Sequence, residues 1–275
     1  MKKIFVLPVF SLLLLFGCEP TLVAEFQDKA VVESYLHAGN TPQVKISRLI
    51  PFRDDVSLSG EDINSLSITI TDEDSGNSST LIAQGEGVYA NSAFTIQEGH
   101  TYALHLPYNG FSVTASTVIP SKPVDMSLSS STISVMVRPG IGSLSLSTKA
   151  TNEPVEVTWA NPDNSYYMVV VENIEATPTS IYDWDDDDDR PKPMFRMEPT
   201  QASSTQLSQQ SFSYLGRHNI ILTRMQPEYA LLYQSQNNDS QSISEVHANV
   251  NNGYGIFTGL NSDTLQIRVV QSSGF

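Results

Sequence analysis

Short segments in which polar and apolar residues alternate, each closed by a turn signal, constrain this chain more than any other feature. Gln43–Ile50 and Leu66–Thr71 alternate in this way, as do Gly99–Leu106 and Phe111–Val118. A two-residue period sends successive side chains to opposite faces, so each run reads as a strand with one buried face. Tyr108-Asn109-Gly110-Phe111 joins the last two runs. Asn-Gly suits a two-residue hairpin whose central residues both need positive φ. Pro120 ends the return strand, because it has no N–H to give to a sheet. Short strands recurring roughly every 8–12 residues imply stacked sheets.

The chain has 275 residues, enough for two such units. The expected fold is mainly β. An N-terminal Ig-like or transthyretin-like sandwich is expected over residues 26–120, and a C-terminal fibronectin III-like sandwich over 121–275. In the second half, Val155–Trp159 and Tyr166–Val171 flank the turn Asn161-Pro162-Asp163-Asn164, and Trp159 reads as a core plug. Residues 172–210 are too long for an ordinary hairpin loop and read as an insertion or mobile flap. One short helix is expected from Pro227 to Tyr233, with Pro at its first turn and Ala230 and Leu231 as good formers. Gly253-x-Gly255-x-x-x-Gly259 has neither the spacing nor the following helix of a dinucleotide fingerprint. Its glycines read as marks of a tight turn or bulge on the core.

The first residues have a different logic. Lys2 and Lys3 precede an apolar run from Ile4 to Leu15, broken only by Pro8 and Ser11. At about 1.5 Å per residue such a helix falls short of the roughly 30 Å hydrocarbon core, so the run reads as a secretory leader. It ends in Leu15-Phe16-Gly17-Cys18, which resembles the bacterial lipobox. The expectation is a signal peptide over 1–17, an acylated (palmitate-type) Cys18 as first mature residue, and a tether over 18–25. More than one acyl chain makes membrane attachment effectively permanent. Cys18 is the only cysteine, so no internal disulfide and no thiolate zinc site is expected.

Three patterns follow one another: Gly87-x-Tyr89, Gly99-x-x-Tyr102-x-Leu104, and Gly110-Phe111-x-Val113-x-Ala115-Ser116-Thr117-x-x-Pro120. Val31-Val32-Glu33-Ser34-Tyr35 lies before them, and Asn251-Asn252-Gly253-Tyr254-Gly255-Ile256-Phe257 near the C-terminus. This order resembles a Bacteroidota outer-membrane lipoprotein family of unknown function, often encoded beside TonB-dependent receptors. The resemblance implies a lipid-anchored outer-membrane protein, on the periplasmic or the cell-surface side. It also implies a TonB-dependent (SusC-like) receptor as partner.

The net charge is −15, and loss of Lys2 and Lys3 with the leader makes it two units more negative. Repulsion from phosphate backbones argues against nucleic acid as a partner. His37, His100, His105, His218 and His247 show no metal-binding spacing, and no Gly-x-Ser-x-Gly elbow is present. No cofactor is expected. Within Asp183-Trp184-Asp185-Asp186-Asp187-Asp188-Asp189, the alternate carboxylates Asp183, Asp185, Asp187 and Asp189 are a candidate calcium set. The run lacks the Gly turn of an EF-hand loop, and a solvated, self-repelling loop is the other reading. Trp184 with Tyr182, and Tyr254 with Phe257, are the candidate ligand or partner contacts, since aromatics suit sugar stacking or a partner's pocket. The expected role is a non-enzymatic accessory or binding component of a TonB-dependent uptake system. A stand-alone glycan-binding protein or adhesin at the cell surface is the alternative.

Overall fold

The structure is a computed structural model that describes residues 27–49, 62–137, 153–182, 194–236 and 249–272. Cys18, Trp184, His247 and the carboxylates Asp183, Asp185, Asp187 and Asp189 lie outside the described residues, as do residues 1–17.

The fold is mainly β. In chain order the strands are β1 (Ala30–His37), β2 (Gln43–Arg48), β3 (Thr69–Asp72), β4 (Ser78–Thr80), β5 (Ile82–Gly85) and β6 (Val88–Ala90). Then come β7 (Thr101–Tyr108), β8 (Phe111–Val118), β9 (Val124–Leu128), β10 (Thr132–Val135), β11 (Val155–Ala160) and β12 (Tyr166–Asn173). The last five are β13 (Met194–Arg196), β14 (Ser204–Leu207), β15 (Gly216–Met225), β16 (Val250–Asn251) and β17 (Tyr254–Gln271). One α-helix, α1 (Pro227–Gln236), is present among the described residues. It starts at the expected proline and runs one turn further than expected.

The alternation seen in the sequence becomes alternating burial. In β1, Ala30, Val32, Ser34 and Leu36 are buried while Glu33 and Tyr35 are exposed. In β7, Tyr102, Leu104, Leu106 and Tyr108 turn inward. The hairpin to β8 pairs Tyr108 with Phe111. Asn109 and Gly110 have φ of 48° and 79°, the positive pair that a two-residue hairpin demands.

Three sheets result. The longest has nine strands among the described residues, in the order β13-β12-β15-β17-β1-β2-β6-β5, with β10 also on β17. The second runs β16-β8-β7-β3-β4 and the third β14-β11-β9. The first core draws Val32, Ile46 and Tyr89 from the long sheet and Ile70, Leu104 and Val113 from the second. The second core joins Val169, Ile220 and Val269 of the long sheet to Val157, Trp159 and Leu207 of the third.

The long strand β17 belongs to both cores. Its first half pairs parallel with β1, from Val31↔Tyr254 to His37↔Leu260. Its second half pairs antiparallel with β15, from Met225↔Leu260 to Gly216↔Val269. Phe257 enters the first core, and Ile267 and Val269 enter the second. All three are separated by even numbers of residues, so they share one face. The two smaller sheets therefore pack on the same side of the long sheet. On the other side α1 covers Met168, Val170 and Met225 with Ala230.

The division at residue 120/121 is accordingly corrected. Val250 and Phe257 belong to the first core, which the chain completes only at its end. Parallel pairing of β1 with β17 requires that return, since parallel strands cannot be joined by a tight turn. The reading of 172–210 as an insertion or flap is corrected at both described ends. Residues 172–173 continue β12, β13 pairs with β12, and β14 pairs with β11. β9 and β10, only a few residues apart, join different sheets: β9 pairs with β11 and β10 with β17.

Candidate functional site

A cleft of about 410 Å³ opens where the two cores meet. Three chain passages build most of it, and Gly99 and Gln201 complete the lining. The first is the end of β8 and its continuation through Ser121. The second is the β11–β12 turn, and the third is the junction of β15 with α1. The turn is locked by Asn161, whose Oδ1 accepts from the Ser165 N–H at 2.9 Å. Its Nδ2 donates to the carbonyls of Ser165 and Gln201 at 3.0 and 2.8 Å. Asn164 takes positive φ, 53°, which asparagine tolerates well. This is the sequence logic of Asn-Pro-Asp-Asn: a side chain that bonds to backbone, a fixed φ, and a left-handed exit.

Arg224, at the end of β15, ties the passages together. Nη1 donates to Ser121 Oγ at 2.5 Å and Nη2 to Ser165 Oγ at 2.8 Å. Nη2 also pairs with Asp163 Oδ2. The guanidinium carbon lies 6.0 Å from the centroid of the Tyr167 ring. Arg224 is 17% exposed at its side chain and Asp163 52%, so the pair sits at the cleft rim rather than in the core. Desolvation pushes the Asp163 carboxyl up. Hydrogen bonds from Ser165 and the Arg224 charge outweigh it and hold the group below its ordinary value. Burial raises the Tyr167 hydroxyl above its usual range, against the pull of Arg224. Gln226 Nε2 donates to the Val118 carbonyl and Gln201 Nε2 to the Asn164 carbonyl, both at 2.7 Å.

A second cluster joins Asp72, Asp74 and His100, whose ligand atoms lie within 4.8 Å of one another. Each is already engaged. Asp72 Oδ1 accepts from the N–H groups of Asp74 and Ser75, and Oδ2 meets His100 Nδ1 at 2.8 Å. Asp74 Oδ2 accepts from the Thr101 N–H at 2.6 Å. Burial pushes Asp72 up, but the bonds from His100 and Ser75 leave it below its ordinary value. The cluster fastens the β3–β4 turn to β7.

The sequence candidates fall out differently. Phe257 is fully buried in the first core, which overturns its reading as a contact residue. Tyr254, three residues earlier and so of opposite parity to Phe257, is 41% exposed with Lys29 Nζ 5.6 Å from its ring centroid. Tyr182 is half-buried and packs on the second core. The cleft brings none of these together. Trp159 is the expected core plug, 4% exposed with its ring centroid 5.6 Å from that of Tyr167. Each described histidine has a hydrogen-bond partner: Ala38 and Ser262 for His37, Asp72 for His100, Ser112 for His105, Asn173 and Gly216 for His218. Sequence reasoning missed Arg224, Ser121, Gln201 and Gln226. The one available signal was the turn-forming tetrad at Asn161–Asn164, which marks a rim but not what it faces.

The chain matches the family described as Domain of unknown function (DUF4249) over residues 18–266. It belongs to that family. No curated protein matches it in sequence. The DUF4249 match starts at Cys18 and ends within β17, so it takes in the first core, most of the second, α1 and the cleft.

Proposed function

We propose that this DUF4249 protein is a lipid-anchored, non-enzymatic accessory or binding component of the Bacteroidota outer membrane, working with a TonB-dependent (SusC-like) receptor. One observation carries the reading: the apolar leader ends in Leu15-Phe16-Gly17-Cys18, and the family match begins at that same cysteine. An acylated Cys18 delivers the domain to a bilayer surface. Two or more acyl chains then hold it there. Strand β17 is common to both cores, and a cleft opens where those cores meet. The chain's acidic balance suits a partner with complementary positive charge rather than nucleic acid.

Mass spectrometry of protein isolated from membranes is expected to show residues 1–17 absent and Cys18 acylated, and Cys18→Ser is expected to leave the membrane fraction. A bare thiol or a retained leader overturns the anchor. Affinity purification of the lipidated protein is expected to recover a TonB-dependent barrel; recovery with no barrel protein overturns the partnership.

A further inference from the structure

We infer that the cleft between the two cores is a binding site for a neutral, hydroxyl-rich small molecule, a mono- or disaccharide. The inference is independent of the anchor and of any receptor. It starts from charge. Among the described residues, Asp163 is the one carboxylate and Arg224 the one cation lining the cleft, and they are paired with each other. An anion finds no unpaired cation there. A hard metal ion, which wants six or more oxygen ligands, finds a single carboxylate. In a chain of net charge −15 the cleft is a locally neutral place.

Its polar groups are of the kind that read hydroxyls. Gln201 and Gln226 each spend one amide N–H on a backbone carbonyl, and this fixes their orientation. Among the described residues their Oε1 atoms accept nothing, so both remain as oriented acceptors for a ligand O–H. Arg224 Nε–H likewise has no partner among the described residues, and Ser121 and Ser165 already hold the rest of the guanidinium still. A sugar hydroxyl both donates and accepts, so a wall with fixed donors and fixed acceptors suits it better than it suits an amine or a carboxylate. Tyr166 supplies a half-buried ring, and Val118, Pro120 and Pro227 supply small apolar surface for the C–H face of a pyranose. The volume of about 410 Å³ lies at the lower end of the roughly 300–1,000 Å³ of small-molecule sites.

The test is calorimetric titration of the full chain with glucose, galactose, xylose, maltose, cellobiose and lactose. Glucuronate and glutamate serve as charged counterparts. At least one neutral sugar is expected to bind saturably at one site, and more tightly than either charged probe. Gln201→Ala and Tyr166→Leu, each with an unchanged melting temperature, are expected to weaken that binding about tenfold, the equivalent of about one lost hydrogen bond or stacking contact. Tyr254→Ala, outside the cleft, is expected to leave it unchanged. Absence of binding by every sugar in the set overturns the inference. So does sugar binding indifferent to both cleft variants, or preference for a charged probe.

Discussion

His218 is a buried histidine that serves structure. It sits on β15, 2% exposed, edge-on to the Phe212 ring at 5.2 Å between centroids. Asn173 Nδ2 meets its Nε2 at 3.2 Å, and its Nδ1 faces the Gly216 carbonyl at 3.2 Å. With Asn173 donating, Nε2 accepts and Nδ1–H donates, so both nitrogens are satisfied in the neutral ring. Burial holds its pKa below the ordinary 6.5, against weaker opposite effects from Gly216 and Glu175. The unfolded chain therefore takes up a proton at a pH where the folded ring does not. Stability is full above about 6.5 and is lost as pH falls from there toward the folded value. Urea unfolding at a series of pH values is expected to show this slope in the native chain and a reduced slope in His218→Gln. Equal slopes in the two would mean that the imidazole does not carry it.

At the scale of the element, β17 explains the glycines that the sequence left as a generic turn. Gly255 has φ of 100°, and a β-carbon there would stand 1.9 Å from the Val32 carbonyl oxygen on β1. A β-carbon on Gly259 would stand 2.3 Å from the Val118 carbonyl oxygen on β8. These are close approaches of one backbone to two others, not a flexible loop. Asn249 reinforces the entry by bonding both the N–H and the carbonyl of Phe257, at 3.0 and 2.6 Å. Gly255→Ala combines a clash with a strained backbone and is expected to cost about 3 kcal/mol or more. Gly76→Ala has positive φ but open space, and it is expected to cost about 1 kcal/mol. Denaturant titrations followed by the fluorescence of buried Trp159 compare the two; similar losses would show that β17 can move away from β1. Helix α1 caps the same region from the opposite face. Tyr229 packs on Tyr35 at 5.1 Å between ring centroids, and Glu228 accepts from Thr258 and Thr117 at 3.1 and 3.4 Å.

Across the whole molecule, the shared strand makes the two cores one cooperative body. Removing the C-terminal end takes Val250 and Phe257 from the first core and strips one pairing partner each from β1 and β8. A fragment of residues 19–120 is therefore expected to lack a dispersed amide spectrum and a cooperative melt. The full chain is expected to unfold in one calorimetric transition whose van't Hoff and measured enthalpies agree. A folded fragment, or two separated transitions, would show that the cores stand alone. The local features were readable from the chain itself because they arise between near neighbours. Alternation made the strands, Asn109-Gly110 the hairpin, Pro227 the helix start and Trp159 a core position. Which strands pair, and therefore what the cleft contains, came only with the tertiary fold. Ser121, Gln201 and Arg224 sit far apart in sequence, and nothing local distinguishes them from other surface polar residues. The return of β17 to β1 brings residues more than 200 positions apart into one register. A parallel pairing of that kind leaves no turn signature, because the connection between its strands is almost the entire chain.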